Sequence, residues 1–365
     1  MTIRTMNHTV KNTGIMIILL PLAIIGLQAA AQVNTGSTGT ATGSNAPAVT
    51  PRPNTVAPIG QYLDSHRDKY RHAIERARTW VDNLAVDPLD LRQHNIKGKK
   101  KLAECLDFYV RLYGIAAPED KGLLLARIKK RVAITEEARY HDLAALNDLQ
   151  FKEDATSYLR VAFLMDRLGL DTTLYRKEIE KVLPRLNAHM VTRGTDQRMA
   201  FHLYYQHFGL TEPFPLNSAF QAGVIAARRD PAGFNNKMDV YSLTHEIFVP
   251  YEFGEKLDAR FFGEEDKSYL RRTLEYLTGY YIRINDPDIV GELSSCMSYL
   301  KFTDLPGYRE ALSYLLDCQQ ADGKWGNYES ARPFYGDYIN QGFYLHTTLV
   351  AVDALTTAFQ TRPPQ

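Results

Sequence analysis

The chain has 365 residues, with 43 lysines and arginines against 42 aspartates and glutamates; 45% of it is hydrophobic and 23% charged. This is globular composition, which excludes wholesale disorder and collagen-like structure. A net charge of +1 builds no basic surface, so no nucleic-acid partner is expected, and three cysteines are too few for a disulfide scaffold.

The N-terminus reads as an export signal. Arg4 and Lys11 start it, an apolar run follows from Ile15 to Leu27, and Ala29, Ala30 and Ala31 supply small residues for cleavage. The run covers roughly 20 Å at helical rise, short of a ~30 Å hydrocarbon core. Residues 1–31 are therefore expected to be a cleaved signal peptide. The protein is then secreted, periplasmic or extracellular, with no membrane span left after cleavage. Residues 32–60 are Thr, Gly, Ser, Asn, Ala and Pro with hardly a charge, and they read as a flexible linker.

Residues 61–360 are expected to form one all-α domain. Leu63, Tyr70, Ala77 and Leu84 make one apolar stripe at helical spacing, and Leu102, Leu106, Tyr109 and Tyr113 the next. Further helices are expected over 119–133, 136–149, 153–168, 172–190, 195–208, 217–228, 239–249, 264–283, 287–301, 307–320 and 339–359. Pro88, Gly169, Asp230-Pro231, Asp286-Pro287 and Asp322-Gly323 punctuate them. Residues 264–283 are charged on one face, as an outer helix should be, whereas 287–301 are poor in charge, as an inner one should be. The alternation continues in 307–320 and 339–356. About a dozen helices in outer/inner hairpins suggest an α/α toroid; a tetratricopeptide solenoid is the competitor, but no period of about 34 residues is visible.

The segment from Leu316 to Gly326, with Gln319, Gly323 and Trp325, resembles the Gln-x-x-x-Gly-x-Trp repeat of terpenoid cyclases. Phe343-Tyr344-Leu345-His346-Thr347-Thr348 is similar to the Tyr-His-Thr helix of protein prenyltransferase β subunits, where the histidine binds zinc. The stretch Leu243-Thr244-His245-Glu246-Ile247-Phe248, with Phe253-Gly254 and then Glu292 and Cys296, looks like a bacterial toroid family of unknown function with a Thr-His-x-x-Phe motif. These resemblances imply a terpenoid cyclase-like toroid. The cyclases' Asp-rich motif and the prenyltransferases' Asp-x-Cys pair are absent, Ser294 standing two residues before Cys296, so prenyl chemistry is not implied. No Cys-Gly-Glu-Gln thioester sequence occurs either.

The candidate site follows from the inner helices. Glu292 and Cys296 share a helical face, with Asp288 one turn before. In a closed toroid His245, Glu292 and His346 are expected to converge on the central cavity as catalytic acid–base groups. His245, Cys296 and His346 are zinc-competent, so a zinc cofactor is a second possibility. Both histidines can equally be buried, hydrogen-bonded structural groups. Trp325, Tyr335 and Asp337 are candidate contacts to a small-molecule or glycan ligand, although a Trp turn is also a packing device. A polysaccharide-degrading barrel would need two carboxylates across a cleft, with Glu246, Glu252 and Glu292 as candidates. A non-catalytic ligand- or protein-binding module is the remaining alternative. Cys105 reads as a packed thiol, and Cys296 and Cys318 lie on adjacent helices where a bridge is conceivable. The basic runs Lys97 to Lys101 and Lys129 to Arg131 read as solvated helix faces.

Overall fold

The computed structural model describes residues 58–87, 89, 98–213, 215–234 and 236–360. The expected signal peptide, all but the end of the expected linker, and Pro88 lie outside the described residues. In chain order the α-helices are α1 (Ile59–Ser65), α2 (Arg67–Asn83), α3 (Gly98–Ile115), α4 (Pro118–Val132), α5 (Asp148–Arg167), α6 (Thr173–Met190) and α7 (Thr195–Phe208). They continue as α8 (Leu216–Gln221), α9 (Lys237–Phe248), α10 (Glu264–Arg283), α11 (Pro287–Tyr299), α12 (Pro306–Asp317), α13 (Arg332–Tyr335) and α14 (Leu345–Gln360). No strand occurs among the described residues, and no helix there is long and apolar enough to cross a membrane.

The helix starts are written in the sequence. The Asn147 side chain accepts from the Gln150 N–H to open α5, Asn236 from Asp239 to open α9, and Asp286 from Ile289 to open α11, where Pro287 takes the first helical position. In α4 Glu119 and Asp120 sit in the first turn and Lys129, Lys130 and Arg131 in the last, complementing the helix dipole at both ends.

One expected helix is not there and another is cut short. Residues 136–149 break into short 3-10 turns before α5. The His141 ring, bonded to the Thr135 carbonyl and the Tyr158 hydroxyl, pins that segment against α5 in place of a helical ladder. The helix expected over 217–228 stops at Gln221, because the buried Glu246 carboxylate takes the N–H groups of Val224 and Ile225, each at 3.0 Å. Gly223 permits this approach: a Cβ there would stand 2.4 Å from the Glu246 carboxylate.

Six helices form the inner wall. α3 packs against α5, α5 against α7, α7 against α9, α9 against α11, α11 against α14, and α14 returns to α3. Outside them α4 packs on α3, α6 on α5 and α7, α8 on α7, α10 on α11, and α12 on α10 and α11. The expected contrast between layers holds: every residue of α11 from Pro287 to Tyr299 is buried, whereas α10 leaves Tyr276 and Tyr280 exposed. The three cysteines are free. Cys105 is a fully buried thiol, pushed up to about 12 by burial, and Cys296 and Cys318 are not bridged.

Candidate functional site

The six inner helices enclose a cavity of about 320 Å³, and each contributes side chains to it. His245 from α9, Glu292 from α11 and His346 from α14 all line it, so residues up to a hundred positions apart in the chain share one cavity.

His346 occupies the closing point of the ring. Its Nδ1 lies 3.1 Å from Glu104 of α3, and its Nε2 lies 3.5 Å from Asp288 and 3.7 Å from Glu292 of α11. Burial opposes the charged ring, but the carboxylates of Asp288, Glu104 and Glu292 outweigh it and raise His346 to about 10. The imidazole is thus a cation at neutral pH. Burial alone would raise Glu104, yet Lys100 and His346 take it down to about 2. Asp288, fully buried, is held well below the usual carboxylate range against its burial by Lys237 and then His346. Lys237 Nζ lies 2.9 Å from Asp288, bonds both oxygens of Asp286, and is joined at Asp288 by the Tyr241 hydroxyl.

His245 is held differently. Its Nδ1 donates to the Tyr241 carbonyl at 2.9 Å, one turn back on α9, and Glu292 lies 3.8 Å away. A carbonyl only accepts, so this bond places the proton of the neutral ring on Nδ1 and leaves the Nε2 lone pair open. With its side chain 31% exposed, His245 presents the free ring edge of the pair. The Thr244 hydroxyl donates to Glu292 and fixes that carboxylate between the two histidines.

Further into the cavity, Arg111 of α3 pairs with Asp353 of α14 at 2.5 Å, and Asp353 also accepts from Ser295 at 2.8 Å and Tyr299 at 3.0 Å. Arg160 of α5 pairs with Asp107 of α3 at 2.5 Å, although burial still raises Asp107 to about 6. A loop after α9 completes the wall. Glu252 and Phe253 adopt left-handed backbone, with φ of 48° and 55°. Three arginines hold them there: Arg111 bonds the Phe253 carbonyl, Arg160 lies 4.5 Å over the Phe253 ring, and Arg167 reaches Glu252 at 3.8 Å and Glu255 at 3.0 Å. Gly254, at φ 90°, leaves room for no side chain, since a Cβ would stand 2.7 Å from both Arg111 and the Tyr299 hydroxyl.

Other expected site residues lie elsewhere in the structure. Trp325 is fully buried; its indole donates to the Leu315 carbonyl at 2.7 Å and it does not line this cavity. Asp337 pairs with Arg332 at 2.6 Å and is 93% exposed, and Tyr335 packs edge-on against Phe343; neither lines the cavity. The zinc set of His245, Cys296 and His346 is not assembled. Cys296 Sγ points at the Thr244 carbonyl, 3.8 Å away between α9 and α11, and burial raises its thiol well above the usual range. A metal ligand has to shed that proton, and among the described residues no group of three His, Cys, Asp or Glu is placed to hold an ion. Of the carboxylates weighed for glycan cleavage, Glu252 and Glu292 line the cavity, whereas Glu246 is spent on the turn after α8.

The sequence reading missed Glu104, Asp107, Arg111, Arg160 and Asp353. Their spacing was the available signal: 104, 107 and 111 fall on one face of α3, and 346, 349 or 350, and 353 on one face of α14.

No curated protein and no solved structure matches the chain. A family model matches residues 73–356, most of the chain, and the protein belongs to that family, which is described as a domain of unknown function (DUF6895).

Proposed function

We propose that the chain is an exported α/α-toroid enzyme whose cavity receives a polyhydroxylated ligand, a sugar or the end of a glycan, for acid–base chemistry. The observation that carries this reading is the contrast between the two histidines. His245 has its Nδ1 anchored and its Nε2 edge open to the cavity, the arrangement a proton-exchanging group needs. His346 is locked as a cation among three carboxylates. In this reading His245 takes or gives the proton, Glu292 steadies its charged form, and His346 holds Glu292 in place.

The ligand class rests on the walls. Carboxylates and guanidinium groups alternate with the aromatic faces of Phe248, Phe253 and Tyr299. Such a surface suits a molecule with hydroxyls on its rim and apolar ring faces. An isoprenoid would strip water from those ion pairs and offer them no hydrogen bond, which sets the reading apart from the cyclases and prenyltransferases that the C-terminal segment resembles. Export, read from residues 1–31, is consistent with an extracellular glycan.

The test is to incubate the purified protein with a panel of polysaccharides and follow new reducing ends. Turnover is expected, and it should fall by about 10²–10⁴-fold in His245→Gln while the helical circular dichroism is unchanged. Binding without product in the wild type would make the cavity a non-catalytic recognition site; no binding to any member of the panel defeats the reading.

A further inference from the structure

Hydrolysis of a bond between sugars moves two protons, and His245 accounts for one of them. The second group has to face His245 across the ligand. Ring order places α3 there. From α9 the inner wall runs through α7 and α5 to α3 on one side and through α11 and α14 to α3 on the other, so α3 and α9 stand opposite each other. Glu104, Asp107 and Arg111 of α3 line the cavity on successive turns. The outer two are engaged by α14, Glu104 with His346 at 3.1 Å and Arg111 with Asp353 at 2.5 Å. Asp107 stands between them. Its Oδ2 lies 2.5 Å from Arg160 Nε of α5 and is shielded from solvent. Its Oδ1 is neither shielded nor hydrogen-bonded among the described residues, so this oxygen is the edge that Asp107 turns to the cavity.

We infer that Asp107 is the second proton-exchanging residue of the cavity, the acid that faces His245 across the ligand. This rests on the acid–base reading above and supplies its missing partner. In the step, His245 Nε2 takes a proton from a water molecule as the water oxygen bonds the anomeric carbon. The bond from that carbon to the leaving sugar oxygen breaks, and the protonated Oδ1 of Asp107 gives that oxygen its proton. Exchange with solvent then returns His245 to the neutral ring and Asp107 to the acid. The surroundings of Asp107 suit a group that holds a proton near neutrality. Burial raises its carboxyl to about 6 and the charge of Glu104, one turn away, adds to this, although Arg160 and Arg111 oppose it. Tyr204 of α7, which interacts with both Arg160 and Asp107, is raised to about 12 by burial and stays neutral. Glu104 is instead taken down to about 2, against its burial, by Lys100 and His346. Two carboxylates on one helix face thus differ in protonation, the separation that acid–base work requires.

The test compares the polysaccharide of the panel that the wild type cleaves with the para-nitrophenyl glycoside of the same sugar, whose leaving oxygen needs no proton. Asp107→Asn, with its helical circular dichroism unchanged, is expected to lose about 10²–10⁴-fold on the polysaccharide and less than about tenfold on the aryl glycoside. A second comparison uses the wild type alone. Its kcat/KM for the polysaccharide should fall as pH rises through about 6, and its kcat/KM for the aryl glycoside should not. Equal losses on the two substrates in Asp107→Asn, or the same pH profile for both in the wild type, would assign Asp107 to holding Arg160 and overturn the inference. Undiminished cleavage of the polysaccharide by Asp107→Asn would overturn it too. Each of these results leaves the acid–base reading of His245 standing, whereas no turnover of any polysaccharide by the wild type overturns the two together.

Discussion

His346 owes its charge entirely to its neighbours, and that dependence runs both ways. The ring is raised to about 10 because Asp288, Glu104 and Glu292 surround it, while Glu104 and Asp288 are held low partly because the ring is charged. A histidine whose folded pKa lies above its unfolded value of about 6.5 stabilises the fold fully below that value, and the stabilisation disappears as pH rises through about 10. Unfolding free energy should therefore decline between about pH 7 and pH 10 in the wild type. His346→Gln is expected to remove this component of the alkaline slope. It should also cost about 3–5 kcal/mol at pH 7, because it strands buried carboxylates. Denaturant titrations of both proteins across that pH range check it; an unchanged alkaline slope in the variant would refute the charged-ring assignment. At this scale the sequence was partly legible. Histidines and acids on apolar faces mark themselves, so His245, Glu292 and His346 could be nominated from spacing. Which carboxylate meets which cation could not, since Arg111 and Asp353 are paired only by the return of α14 to α3. Trp325 was ambiguous for a related reason: a Trp beside glycines looks alike whether its indole faces a ligand or the Leu315 carbonyl.

Two segments show how a local rule yields to tertiary need at the level of the element. After α8 the chain carries a helical pattern, yet the Glu246 carboxylate captures two backbone N–H groups and ends the helix. Burial raises Glu246 to about 7, so this cap is maintained against its own desolvation. Glu246→Ala should cost about 2–4 kcal/mol by leaving two buried donors unmet. Gly223→Ala should also destabilise, since its Cβ would collide with that carboxylate. Combined, the two substitutions should cost clearly less than their sum, because the collision vanishes with the carboxylate. Strict additivity in urea titrations would show that the turn is held by something else. The Glu252–Phe253 segment departs in another way. Two successive non-glycine residues in left-handed backbone carry about 1–2 kcal/mol of strain each, which no periodicity argument anticipates. Arg111, Arg160 and Arg167 hold them there, at the cavity wall. Glu252→Asn, which tolerates that backbone better, is expected to stabilise the protein by about 0.5–1 kcal/mol and to weaken ligand binding. Thermal melts and ligand titration read both effects, and a destabilised variant would mean that the Arg167 contact outweighs the strain.

In the whole molecule the candidate site and the closure of the ring are made by the same residues. α14 is the last helix in the chain, yet it packs against α3, near the start of the domain. The polar contacts that join them, His346 with Glu104 and Arg111 with Asp353, lie at the cavity. Asp353 also gathers Ser295 and Tyr299 of α11, so three inner helices meet on one carboxylate. This arrangement separates a ring from a solenoid by its response to truncation. A solenoid stabilises each repeat through its neighbours, so removing the last one shortens the array and leaves the remainder folded. A ring loses both seams of the missing helix together. Ending the chain at Tyr344 would expose the apolar faces of α3 and α11 and leave Glu104, Arg111, Asp288 and Glu292 without their partners across the seam. Each buried charge stranded in this way costs several kcal/mol against a total stability of about 5–15 kcal/mol. The truncated chain is therefore expected to lose cooperative thermal unfolding altogether and to become uniformly sensitive to protease. Single-residue replacement of Asp353 by Asn, which keeps the helix but weakens the seam, should lower the midpoint while the transition stays cooperative. If the chain ending at Tyr344 still melted in one sharp step, with its helical signal reduced only in proportion to the residues removed, the inner helices would be stabilised as a linear stack and the seam between α14 and α3 would be incidental.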